Sequence, residues 1–139
     1  DYPEADFNMS LEEVYDRNIF QHGCADVVMA LGSLNFGTFD NIISQFGKAI
    51  DWVKPGGIFI VRVRLHLDKE EAFYTRGHQQ HNWNWENVKE MHETYKDRVD
   101  YLIEPALEKA AGGLGEEKHG EPDFSRPPVD LAVWTWIKK

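Results

Sequence analysis

The pattern of apolar and polar positions organises this chain around one β-α-β unit between Ala25 and Val63. Ala25 to Leu31 is apolar almost throughout, which is typical of an interior parallel strand covered on both faces. Lys54 to Gly57 predicts a turn, and Ile58 to Val61 predicts a second strand parallel to the first. Between the strands, Thr38 or the residue beside it is the expected cap of a helix whose apolar positions recur at helical spacing: Ile42, Ile43, Phe46, Ala49, Ile50 and Val53.

The flanking stretches predict two more helices. Ser10 and Glu13 have the spacing of a capping box, so a short helix is expected to begin at Leu11. A later helix opens within Asn82 to Trp85 and runs to about Asp97, with its expected inner face formed by Trp85, Val88, Met91 and Tyr95.

Two further strands are predicted, Val99 to Leu107 and Val129 to Ile137, because both are rich in residues that favour strands. Between them, Ala111 to Pro128 is dominated by Gly, Glu and Pro and is expected to be a flexible loop or hairpin tip. The polar segment from Asp68 to His81 is compatible with a short helix or a lid. We see one domain and no internal repeat.

Polar residues follow both strands of the β-α-β unit where each strand ends. Gly32 to Gly37 is rich in small residues that let the backbone turn and a ligand approach. Along the second strand Arg62, Arg64 and His66 alternate, so they point to one side. Ligands of open α/β sheets bind beyond the carboxyl ends of the strands, which makes this edge the candidate site. The alternative is that these charges are merely solvated.

Composition narrows the classes of partner. The chain has 139 residues, 42% of them hydrophobic, which suits a single core. A formal net charge of -9 argues against a nonspecific nucleic-acid or membrane surface and favours a small-molecule partner. The single cysteine, Cys24, cannot form an internal disulfide, and no apolar run approaches a membrane span. We therefore expect a cytoplasmic protein.

The order of these elements resembles the carboxyl-terminal part of a class I S-adenosylmethionine-dependent methyltransferase. Ala25 to Val28 resembles that family's fourth strand, Leu34-Asn35-Phe36 its post-strand loop, and Val53 to Gly57 its turn into the fifth strand. The last two strands are similar to its closing antiparallel hairpin. The resemblance implies an α/β, three-layer Rossmann-like fold, incomplete at the N-terminus, with a mostly parallel sheet and an antiparallel C-terminal strand.

The resemblance also implies a cofactor, S-adenosylmethionine, and a set of residues that contact it. Ala5 to Asn8 resembles the family's sequence after its third strand, so Asp6 and Phe7 would face the adenine. Ala30 and Leu31 would line the cofactor's path and Leu34 would close over it. On the substrate side the candidates are Asn35, Arg64 and His66, with His66 as the candidate base.

Two parts of the family's pattern have no counterpart in this sequence. These are the Gly-rich loop after the first strand and the acidic residue after the second, both of which would lie before Asp1. The chain is therefore expected to be either a fragment or a shortened member. Without the first strand, Ala25 to Leu31 becomes an unpaired apolar edge, for which we expect a second copy of the chain, a homodimer, as cover.

Other chemistries are less well supported by the sequence. His78 and His81 lack a third ligand at characteristic spacing, so we predict no metal site. Gly112 to Gly115 lacks the Lys and Ser or Thr of a phosphate-binding loop. The competing function is a noncatalytic interaction module on the same fold, and a dinucleotide oxidoreductase is weaker because its Gly-rich fingerprint is equally absent.

Overall fold

The computed structural model describes residues 9–66, 73–75, 78–110 and 129–139. Its elements follow in the order α1 (Leu11–Asp16), β1 (Ala25–Leu31), α2 (Phe39–Trp52), β2 (Val53–Arg64), β3 (Phe73–Thr75), β4 (His78–Gln80), α3 (Trp85–Tyr95), β5 (Val99–Ala110) and β6 (Val129–Lys138). The loop predicted over Ala111 to Pro128 lies outside the described residues.

One four-stranded sheet carries the fold, with the strand order β1-β2-β6-β5. The strands β1 and β2 are parallel, whereas β6 is antiparallel to both of its neighbours. The β-α-β unit and the antiparallel C-terminal strand are thus confirmed, as is the Rossmann-like fold class. The polar segment before α3 contains a separate two-stranded hairpin, β3 and β4, instead of the suggested short helix.

The helix α2 forms where the apolar spacing predicts it. The hydroxyl of Thr38 accepts from the backbone N–H of Asn41 at 3.3 Å, which satisfies one of the free donors at the helix start. At the other end, Nζ of Lys138 donates to the carbonyl oxygens of Ile50 and Val53, at 3.0 and 2.7 Å. The last strand therefore holds the end of α2 in place.

A cluster of aromatic rings joins the helices to one face of the sheet. The ring of Phe46 on α2 lies 5.6 Å from that of Phe59, 5.9 Å from Trp83 and 6.0 Å from Trp136, measured between centroids. Val88 and Met91 of α3 belong to the same buried core. Both helices therefore pack against the same face of the sheet.

The opposite face of the sheet leaves apolar side chains exposed along β1. Val27, Met29 and Leu31 are 48%, 63% and 46% exposed, and β1 has one strand neighbour within the described residues. We call these three residues the β1 stripe. The expectation of an interior strand covered on both faces was wrong for the described part of the chain, because α2 covers only the side that carries Val28 and Ala30.

The predicted turn at Lys54 to Gly57 is a bulge within β2. Ala25 pairs with Val53 and Val27 already pairs with Ile58, so the second strand accommodates additional residues opposite the first. Gly57 permits this close approach, since a Cβ there would lie 2.9 Å from the carbonyl oxygen of Asp26. The chain therefore returns from the helix without leaving the sheet.

The start of α3 lies within the predicted stretch, but its inner face differs from the prediction. Asn84 is the N-cap, its side chain accepting from the N–H of Asn87 at 2.9 Å, so the helix begins only at Trp85. Trp85 is exposed, and Trp83, in the extended segment before the cap, is fully buried instead. The assignment of Trp85 to the inner face was wrong: Trp85 opens the helix and is exposed, and the buried tryptophan of this stretch is Trp83, which lies before the cap.

Candidate functional site

The candidate site lies at the carboxyl ends of the parallel strands β1 and β2. Leu31 pairs with Arg62, so the two strands end side by side. After β1 the backbone turns at Gly32, whose φ is 91°, and the side-chain amide of Asn35 donates to the Gly32 carbonyl oxygen at 3.3 Å. Gly32 fits this turn because residues with a Cβ rarely adopt such a φ.

Residues 81–83 cross the ends of both strands. The backbone N–H of His81 donates to the carbonyl oxygen of Asn35 at 2.9 Å, and the N–H of His66 donates to that of Trp83, also at 2.9 Å. A parallel bridge joins Leu65 to Trp83. We call residues 81–83 the crossing segment. It connects the loop after β1 to the end of β2.

The ring of His81 holds the crossing segment against the helices. It stacks on Phe39 of α2 with 4.9 Å between centroids, and its Nε2 lies 2.9 Å from Oδ1 of Asn87 on α3. Burial lowers the pKa of His81 below its usual value, and the hydrogen bond to Asn87 opposes that shift only in part. The neutral imidazole therefore suits this position.

The three substrate-side candidates lie close to this crossing. Asn35 is half-buried and His66 is only 6% exposed, and the crossing segment binds the backbones of both. Arg64, two residues before His66, is exposed and pairs with Leu131 of β6. The structure thus brings Asn35 and His66 to one edge, with Arg64 next to them.

The cofactor-side candidates are divided between the two faces of the sheet. Ala30 and Leu34 are buried in the core that α2 covers, whereas Leu31 is exposed on the opposite face. Asp6 and Phe7 lie outside the described residues. Roles in cofactor binding stay predictions for all five.

One residue of the crossing segment was missed by the sequence reasoning. Asn82 is 7% exposed, and neither Nδ2 nor Oδ1 of its amide has a hydrogen-bond partner in the described part of the chain. The Oδ1 of Asn35 is also buried and without a partner there. Asn84, two residues after Asn82, caps α3, so the cap of that helix leaves Asn82 unused. The available signal was that one helix needs only one cap.

The described residues provide neither a metal-binding cluster nor a membrane-spanning helix. No group of three or more His, Cys, Asp or Glu side chains within these ranges is arranged to hold a metal ion. Likewise, none of the helices described is both long enough and apolar enough to cross a membrane.

Solved structures resemble this chain in fold, although no protein-family model and no curated protein sequence matches it. The first is the 1,6-didemethyltoxoflavin-N1-methyltransferase of Burkholderia thailandensis, solved with 1,6-didemethyltoxoflavin and S-adenosylhomocysteine. Its TM-score is 0.58 at 10% identity, over 85% of this chain and 45% of that one. A candidate S-adenosylmethionine-dependent methyltransferase of Listeria monocytogenes has a TM-score of 0.56 at 13% identity, over 96% and 68%.

A third similar structure is the PH0226 protein of Pyrococcus horikoshii, with a TM-score of 0.52 at 13% identity, over 86% of this chain and 54% of that one. The chain therefore spans about half the length of the Burkholderia thailandensis and Pyrococcus horikoshii proteins. The strand order, the parallel β-α-β unit and the antiparallel last strand agree with the resemblance seen in the sequence. The chain has the fold of the carboxyl-terminal part of a class I S-adenosylmethionine-dependent methyltransferase.

Proposed function

We propose that this chain, as a single partial methyltransferase-like domain, takes part in S-adenosylmethionine-dependent methyl transfer to a small-molecule acceptor. The observation that carries the proposal is the crossing segment, which joins the carboxyl ends of the parallel strands β1 and β2 and carries the buried amide of Asn82. A buried polar group without a partner in the described residues suits a bound ligand at that edge.

The residues after β1 fit the apolar part of the cofactor. A Cβ built on Gly32 would meet no atom within 4 Å, and Leu31 keeps 46% of its surface exposed. Leu31 would form one wall of the site and the loop through Leu34 another. Asp6 and Phe7 are the proposed contacts to adenine.

The acceptor side of the site is assigned to Asn35, Arg64 and His66. Bound S-adenosylmethionine supplies an electrophilic methyl group, so these residues have to orient the acceptor, exclude water and take up its proton. His66 is the proposed base, because a neutral imidazole accepts a proton at a ring nitrogen. The Asn35 amide and the Arg64 guanidinium are the groups proposed to orient the acceptor.

A small-molecule acceptor in the cytoplasm agrees with the rest of the chain. The net charge of -9 disfavours nucleic acid as the acceptor. Cys24 is an exposed free thiol, which is suited to a reducing compartment. The similar enzyme of Burkholderia thailandensis carries a small molecule, 1,6-didemethyltoxoflavin.

We further propose that a second copy of the chain pairs with the exposed edge of β1, beside the β1 stripe. The only charged residue of β1, Asp26, is paired with Lys54 at 2.9 Å, so no unpaired charge protects this edge from association. Antiparallel pairing of two β1 strands about Val28 would place Val27 of each copy opposite Met29 of the other. The apolar residues of one stripe would then lie beside those of the other.

Calorimetric titration with S-adenosylhomocysteine tests the methyl-transfer proposal. The wild-type chain is expected to bind in the micromolar range, and Leu31→Lys is expected to abolish binding because it places a charge in the cofactor wall. Leu107→Lys is the matched control, since Leu107 is similarly exposed but lies on β5, at the other edge of the sheet. A folded wild-type sample without binding would favour the noncatalytic interaction module.

A further inference from the structure

Two arginines near the end of β2 have no carboxylate partner in the described part of the chain. Arg62 is half-buried and pairs with Leu31 of β1 and Val133 of β6, whereas Arg64, two residues later, is exposed. The guanidinium of neither residue forms a hydrogen bond or an ion pair with another described residue. A half-buried guanidinium loses hydration without gaining a counter-charge unless an anion binds to it.

The charge of the rest of the chain makes this pair of cations unusual. Acidic residues outnumber Lys and Arg by 24 to 15, so carboxylates are plentiful. Four other cations of the described ranges are each paired with one: Lys54 with Asp26, Lys96 with Glu93, Arg98 with Asp51 and Lys139 with Asp100. Solvation alone would account for the exposed Arg64, but it does not account for the half-buried Arg62 between two apolar neighbours.

The crossing segment brings a third polar side chain to the same place. A parallel bridge joins Leu65 to Trp83, and both of these side chains belong to the buried core. The residues that precede them, Arg64 and Asn82, therefore lie side by side and point to the opposite face of the sheet. Asn82 is only 7% exposed, and its amide has no partner within the described residues. Arg62 points to the same face, about 7 Å along the strand from Arg64.

We propose that Arg62, Arg64 and Asn82 bind an anionic group, a carboxylate or a phosphate, of the methyl acceptor. This inference rests on the proposed function, because it assigns the acceptor class of that same site. Each arginine presents a fork of N–H donors that matches the oxygens of such a group. Nδ2 of Asn82 donates to a further oxygen, and its Oδ1 accepts from a remaining N–H of Arg64. Both polar atoms of the buried amide then have partners.

The position of Arg62 connects this anion site to the proposed cofactor site. Arg62 pairs with Leu31, the proposed cofactor wall, and both side chains lie on the face of the sheet opposite the helices. An anionic group bound by the arginines would anchor the acceptor beside that wall. The remainder of the acceptor would then reach the methyl group without moving far from the strand ends.

Benzoate and phenyl phosphate are suitable probes, and benzamide is the neutral control because it keeps the shape of benzoate without its charge. In calorimetric titration of the full chain, the better of the two anions is expected to bind about 10-fold more tightly than benzamide. A preference for benzoate would identify the bound group as a carboxylate, and a preference for phenyl phosphate would identify it as a phosphate. Equal binding of all three compounds would overturn the proposal.

Substitutions locate the binding within the chain. Arg64→Gln and Arg62→Gln are each expected to weaken binding of the preferred anion about 10-fold and to leave binding of benzamide unchanged. Arg17→Gln is the matched control, because it removes the same charge from an exposed arginine at the end of α1. Arg64 is exposed, so its replacement leaves the fold intact. An equal loss in Arg17→Gln, or no loss in Arg64→Gln, would overturn the proposal.

Titration of the same samples with S-adenosylhomocysteine separates this proposal from the proposed function. Binding of S-adenosylhomocysteine without any preference for an anion would refute the acceptor class and leave methyl transfer in place. Anion binding that depends on Arg64, without binding of S-adenosylhomocysteine, would support the anion site and refute methyl transfer. Loss of S-adenosylhomocysteine binding in Arg64→Gln would assign the arginines to the carboxylate of the cofactor and overturn the acceptor class. Binding of none of these compounds would refute both proposals.

Discussion

The contact between Gly47 of α2 and Tyr95 of α3 provides a sharp test of how the two helices pack. The hydroxyl of Tyr95 donates to the carbonyl oxygen of Ile43, one turn before Gly47. A Cβ added at Gly47 would lie 2.7 Å from that hydroxyl oxygen, closer than real Cβ contacts allow. The glycine therefore provides the space through which the tyrosine reaches the backbone of α2.

Gly47→Ala is expected to destabilise the chain by about 1 kcal/mol, although alanine favours helices. Replacing a helical glycine by alanine ordinarily stabilises by about 1 kcal/mol. Here the hydroxyl of Tyr95 would have to move until it reached ordinary contact, at 3.4 Å or more. This movement breaks its hydrogen bond in a half-buried site, which costs about 1–3 kcal/mol and exceeds the gain.

A double-mutant cycle isolates the contact. Tyr95→Phe removes the hydroxyl, and the nearest ring carbons then lie 3.3 and 3.4 Å from the added Cβ, which a small shift accommodates. In the Tyr95→Phe background, Gly47→Ala should therefore stabilise by about 0.5–1 kcal/mol. The expected coupling energy is about 2 kcal/mol, which is large for one pair of residues.

Urea unfolding followed by tryptophan fluorescence measures these free energies, because Trp83, Trp134 and Trp136 are fully buried and report on the core. If Gly47→Ala stabilised both backgrounds equally, to within about 0.5 kcal/mol, the hydroxyl would not lie over Gly47. The packing of α3 against α2 described above would then be wrong.

Two further predictions concern association and pH. Light scattering should show a dimer for the wild-type chain and for Leu107→Lys, and a monomer for Met29→Lys. A monomeric wild-type chain would refute the proposed dimer. Burial lowers the pKa of His81 and His92 below 6.5, so both bind a proton more readily after unfolding, and stability should fall as the pH drops below 6.5. A urea midpoint that does not decrease between pH 7.5 and 5.5, or a slope unchanged by His92→Phe, would contradict the second prediction.

The sequence predicts the parts of the fold that local patterns determine. Thr38 and the spacing from Ile42 to Ile50 define α2 because capping and helical periodicity act within a few residues. The sequence predicts a turn at Lys54 to Gly57, whereas the structure has a bulge there. The bulge depends on pairing with Asp26 and its neighbours, about 30 residues earlier in the chain. Local composition alone does not encode that pairing.

The sequence predicts which strand ends meet at the candidate site and names only some of the residues there. Asn35 and His66 were chosen because both follow apolar strands, a local signal. Asn82 was missed because its burial arises only when residues near positions 35, 66 and 82 meet at one edge of the sheet. A polar residue beside a tryptophan predicts a helix cap or a loop. The sequence does not show that this segment is extended or to which side Asn82 points.

The two faces of the sheet explain why the site and the proposed dimer have to be tested together. One face is closed by Phe46 and its aromatic neighbours, and the other carries the β1 stripe. Leu31 is the last residue of that stripe and also the proposed cofactor wall, so Leu31→Lys changes both surfaces. Met29→Lys changes only the stripe. Binding of S-adenosylhomocysteine that survives in Met29→Lys and fails in Leu31→Lys would therefore place the cofactor site within one chain, whereas loss in both variants would mean that the second copy completes it.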